Sequence, residues 1–101
     1  MLNLNEKTLE AYRQKANAQL KEMRAKMTML ESEAEKSTAD MRIKYQNKLD
    51  ELKPRFKEIE DSLKELSDSG EDAWEEVKNG INESISELQT ALTDATKHFN
   101  N

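Results

Sequence analysis

Cysteine is absent from this 101-residue chain, which removes a disulfide framework, a thiolate metal site and a thiol nucleophile together. Glycine occurs twice and proline once, too few for a loop-rich domain or for the glycine-rich cradle that a phosphate needs. One Trp, two Tyr and two Phe are the whole aromatic complement, and a single histidine, His98, has no second imidazole beside it to complete a metal site. No apolar run approaches the ~20 residues that span a bilayer. The N-terminal stretch Met1-Leu2-Asn3-Leu4-Asn5-Glu6-Lys7 lacks the basic-then-apolar order of a secretory signal, so a soluble cytoplasmic protein is expected.

What the chain has is charge and helix formers. Charged residues make up 37% of it and hydrophobic ones 35%, a mixture typical of long, surface-rich helices. At this length a large enzyme core is excluded. The net charge of −5 is unevenly placed: residues 1–69 carry 14 basic and 14 acidic side chains, residues 70–101 carry 2 and 7. Basic residues are interspersed with acids and form no cluster, so the footprint of a nucleic-acid binder is missing.

Composition of this kind also suits a disordered chain, and hydrophobic spacing decides between the two. Leu9, Tyr12, Ala16, Leu20, Met23, Met27, Leu30, Ala34, Thr38, Met41, Tyr45, Leu49, Leu52, Phe56, Ile59, Leu63 and Leu66 follow one another at intervals of three or four, averaging about 3.56 residues, between the heptad and straight-helix values. Only Thr38 is a weak member. Tyr12, Met23, Ala34, Tyr45 and Phe56 also recur every eleventh position, which implies shallow supercoiling. The expected fold is all-α: a long coiled-coil helix over residues 1–66, with a kink near Pro54, then a turn at 67–70 and a shorter antiparallel amphipathic helix over 71–101.

The turn rests on Ser67-Asp68-Ser69-Gly70, four weak helix formers followed by acids suited to a helix N-terminus, with Ser69 and Asp72 at capping-box spacing. Pro54 removes one backbone donor, but the stripe continues through it in phase, which favours a kink over a break. Asn79-Gly80 is a turn dipeptide, yet Val77, Ile81 and Ile85 stay in register around it, so a tolerated glycine beside a close helix contact is expected. A second architecture remains open. Ser37 and Asp40 are placed to cap a new helix, which would give three helices of about thirty residues in a spectrin-like bundle.

In the hairpin, the second helix spans roughly 44 Å and covers only about half of a rod roughly 90 Å long. The stripe from Leu9 to Ala34 would then be bare, and burying each large apolar side chain is worth roughly 1.5–3 kcal/mol. Self-association follows, as a homo-oligomer, in the first place a dimer, or by pairing with a partner helix. Leu9, Tyr12, Leu20, Met23, Met27, Leu30, Met41 and Tyr45 are the expected interaction seam. Phe56, Leu63, Trp74, Val77, Ile81, Ile85, Leu88 and Phe99 are the expected helix–helix anchors.

Carboxylates such as Glu31-Glu33-Glu35 and Glu58-Glu60-Asp61 fall on polar positions and read as a solvated face rather than as acid–base groups. No catalytic, cofactor-binding or metal-ligating residue is expected. A non-enzymatic interaction or structural protein is the leading expectation. The alternative is an amphipathic protein that binds lipid surfaces or unfolding clients.

The stretch Ser69-Gly70-Glu71-Asp72-Ala73-Trp74-Glu75-Glu76-Val77-Lys78-Asn79-Gly80 resembles the C-terminal segment, SGDAWEDLKAG-like, of a group of small bacterial coiled-coil proteins often described as stress-related or hypothetical. Here Glu71 stands as an extra residue, and Ile85 sits where many members carry a second aromatic. The likeness covers about 30 residues. It implies a small cytoplasmic bacterial helical protein with a stress-related role and carries no catalytic residue across.

Overall fold

The first departure from the expected rod lies at Ser37 and Thr38, where the helix stops and starts again. The computed structural model describes the backbone of residues 4–68 and 70–100, and the side chains of 7–68, 70 and 73–97. Among the described residues there are three helices: α1 (Leu4–Lys36), α2 (Ala39–Asp68) and α3 (Glu71–Asn100). The continuous helix expected over 1–66 is therefore two helices.

The break is explained by how completely the helix ends are satisfied. An ending helix leaves its last carbonyls without intrahelical donors. Here the Ser37 hydroxyl donates to the Glu33 carbonyl (3.0 Å), the Ser37 N–H donates to that of Ala34 (3.1 Å), and Arg42 Nη2 reaches back to that of Glu35 (3.0 Å). On the other side Thr38 is the N-cap: its Oγ1 accepts the Met41 N–H (3.4 Å), and its carbonyl accepts the Arg42 N–H (2.8 Å) that opens the helix. Of the two caps anticipated for a break here, Ser37 serves the end of α1, and Thr38, not Asp40, shapes the start of α2. Among the described residues none takes a positive φ, so the break does not call for a glycine.

The α2–α3 turn passes through Gly70, whose carbonyl accepts the Ala73 N–H (3.1 Å). Ser69 and the side chain of Asp72, the capping-box pair anticipated there, lie outside the described residues. Pro54 sits inside α2, and Leu49, Leu52, Phe56 and Ile59 are buried on either side of it, so the buried face keeps its phase. Gly80 corrects an expectation. Nothing lies within 4 Å of where its Cβ would stand, so it faces open space, and no close helix approach requires it.

The three helices pack side by side, each against the other two, in a body of 56 × 18 × 17 Å. Their lengths of 33, 30 and 30 residues nearly match, so each stripe finds cover except beside the α1–α2 turn. One apolar cluster runs from Ala16 through Leu30 on α1, Leu49 through Leu66 on α2 and Ile81 through Ala95 on α3. Among the described residues no polar or charged side chain is buried. The core thus rests on apolar burial alone.

Charge helps to set the antiparallel register of α1 and α2. Residues 7–26 hold six basic and two acidic side chains, and residues 58–68 hold five acidic and one basic. Farther along, residues 31–36 hold three acids against one base, and 42–57 six bases against two acids. The fold brings the opposite signs together: Arg13, Lys21 and Arg24 share a groove with Glu60, and Glu31 and Glu35 share one with Arg42 and Lys53. Each exposed pair is worth little alone. Parallel pairing would set like charges against each other, so the pattern disfavours the wrong orientation.

Candidate interaction surface

The expected seam lies mostly inside the molecule. Leu20, Met23, Met27, Leu30 and Tyr45 are buried by their own chain, and Leu9 and Tyr12 are half-buried against the same core. The length argument that left them bare assumed one long rod. Folding at 37–38 divides that rod into two helices that cover each other, and α3 closes the remaining side. Of the seam, only Met41 is open to solvent, at 40%.

The expected anchors are positioned as helix–helix contacts. Phe56, Leu63, Ile81, Ile85 and Leu88 are buried, and Trp74 and Val77 pack half-buried against the core. The side chain of Phe99 lies outside the described residues, as does that of His98.

Two polar clasps tie α1 to its neighbours. The Tyr12 hydroxyl donates to Asn82 Oδ1 (2.8 Å), with the Lys78 carbonyl 3.3 Å away, and the Lys78 ammonium stands 5.4 Å from the centre of the Tyr12 ring. Partial burial raises the Tyr12 pKa above its ordinary 10.0, so the proton needed for this hydrogen bond is held more firmly. Near the middle of the bundle the Arg24 guanidinium lies 5.7 Å from the Phe56 ring centre and pairs with Glu60. Sequence spacing alone did not single out Asn82, Lys78, Arg24 or Glu60. The opposed charge blocks were the available signal for the last two.

With the seam closed, the large apolar side chains still exposed among the described residues are Met29 (68%), Met41 (40%) and Ile43 (61%). All three flank the α1–α2 turn. Met29 also lines an apolar groove between α1 and α3 with Leu30, Thr93 and Thr96, edged by Lys26 and Lys97. Residues 39–44, the first turns of α2, are exposed throughout, and Tyr45 is the first buried residue of that helix. The turn end is therefore where the molecule offers apolar surface to something else.

Among the described residues no group of three or more His, Cys, Asp or Glu side chains stands close enough to share a metal ion, and no helix is long and apolar enough to cross a membrane. No protein-family model, curated protein or solved structure matches the chain.

Proposed function

We propose that this protein is a non-enzymatic helical interaction module that associates with itself through the end of the bundle bearing the α1–α2 turn. The observation that carries this reading is the position of Met29, Met41 and Ile43, the exposed large apolar residues, on either side of that turn. Methionine suits such a role because its flexible, polarizable side chain adapts to imperfect partners. The non-enzymatic part is supported by the apolar core and by the exposure of the Glu31, Glu33 and Glu35 carboxylates, since acid–base chemistry draws on desolvated groups. The anticipated dimer is kept, but the apolar surface open to begin it is one end of the bundle rather than the whole stripe.

Sedimentation equilibrium across a concentration series, with and without anionic vesicles, tests this. Association that is indifferent to vesicles and weakened by Met41→Lys or Ile43→Lys, with unchanged melting of the dilute protein, is the expected result. A monomer at every concentration defeats the proposal. If helix content rises only with vesicles, the protein acts at a lipid surface instead.

A further inference from the structure

We infer that the α1–α2 turn is a hinge, and that two copies of this chain exchange α1 by straightening it into one continuous helix. This deepens the self-association proposed above and rests on it. Domain exchange needs a short connection whose two sides make the same contacts whether they come from one chain or two. The connection here is Ser37 and Thr38 alone, with no glycine or proline to resist a helical conformation.

Register supplies the stronger argument. Leu20 and Leu63 line one α1–α2 groove, Met27 and Phe56 the next, and Ala34 and Leu49 the third. Each step inward is one heptad on both helices, so the pairing is concentric about the turn. One more heptad lands on Met41 opposite Arg42, with Thr38 opposite Tyr45 on the way. In the folded chain this innermost layer is broken by the turn, and both Thr38 and Met41 are exposed.

In two straightened chains lying antiparallel, that layer exists. The Met41 side chains of the two copies meet at the two-fold axis, and Thr38 of each copy covers Tyr45 of the other. Every outer layer is retained, now made between copies, and the opposed charge blocks stay matched. The apolar phase makes this feasible: Ala34, Thr38, Met41 and Tyr45 remain at intervals of three or four across the break. A turn that shifted the phase would have turned α2's stripe away from the partner. Opposing the exchange are the bonds that close the turn: the Thr38 cap, the Ser37 hydroxyl and the Arg42 guanidinium.

Two variants move the balance in opposite directions. Ser37→Ala with Thr38→Leu removes both hydroxyl bonds and favours helix, and should tighten the dimer by roughly tenfold or more. Ala39→Pro occupies the first helical position of α2, where the folded chain bears no cost and a continuous helix loses a backbone hydrogen bond, and should weaken the dimer at least tenfold without lowering the monomer's melting temperature. The chain has no cysteine, so Lys21→Cys with Lys64→Cys places two spin labels unambiguously. These positions share a groove in the folded chain and lie roughly 64 Å apart along a straight helix.

Doubly labelled chain carrying the hinge substitutions, diluted into unlabelled chain, should show the long distance once sedimentation reports a dimer. A dimer that keeps the short intrachain distance overturns the exchange while leaving self-association standing. Absence of any dimer, even with Ser37→Ala and Thr38→Leu, overturns both.

Discussion

The two turns of this molecule share one device, a serine hydroxyl donated to the carbonyl four residues back, and differ in the rest. At 37–38 there is no glycine and no strained backbone, and the helices stop because the Ser37, Thr38 and Arg42 side chains meet the freed backbone groups. At 67–70 the Ser67 hydroxyl donates to the Leu63 carbonyl and the Gly70 carbonyl accepts the Ala73 N–H, but the residues are individually weak helix formers and glycine stands at the break. The difference teaches that a helix ends where its unpaired groups find partners, and that a breaker residue is only one route to that condition. It also separates the roles of the turns: one is announced by composition, the other is held by a few replaceable hydrogen bonds.

The sharpest way to break this comparison is proline. Ala25→Pro, in the exposed interior of α1, should cost about 3 kcal/mol or more, whereas Ala39→Pro should cost nothing measurable, as read by urea unfolding. Equal losses at both positions would mean that the helix does not restart at Ala39. Next in size is Thr38→Ala, which removes the α2 cap and should lower stability by about 1 kcal/mol. The contrast with glycine comes third. Gly80 faces open space in mid-helix with an ordinary φ, so Gly80→Ala should raise stability by about 0.5–1 kcal/mol in thermal melts.

The smallest effect concerns the clasp at the far end from the hinge. The Tyr12 pKa is raised in the folded chain, so its contribution is fully present below the ordinary phenol pKa of 10.0 and is lost as pH rises toward the folded value. Stability should fall above about pH 10 in the wild type by more than in Tyr12→Phe, as followed by urea titration at successive pH values.

The buried stripe was legible from spacing alone. From Ala16 to Leu66 its members are buried, apart from Thr38 and Met41 at the break, and Ile81, Ile85, Leu88, Leu92 and Ala95 are buried on α3. The turn at 37–38 was harder to read because the phase survives it. A continuous stripe is equally consistent with one helix or with two that pack face to face, so periodicity could not tell them apart. The signal that does discriminate is a hydroxyl residue in the stripe, Thr38; the opposed charge of 7–26 and 58–68 speaks for antiparallel pairing of these stretches, within one chain or between two.

The seam residues, expected to be bare, are closed within the chain for the same reason. Once the rod folds, its exposed half becomes its core, and only the layer nearest the turn is left uncovered. Gly80 was misread because a helical glycine suggests a close neighbour, whereas this one stands on the solvent side of a helix whose buried face supplies its stability.

The claim most directly open to measurement is that one chain closes its own apolar stripe. Circular dichroism melts over a wide dilution series address it: a helical protein whose melting temperature no longer changes at the dilute end is the predicted result, because the folded monomer needs no partner there. Helix content and melting temperature that keep falling with dilution would contradict the account, since the stripe would then be closed only by association.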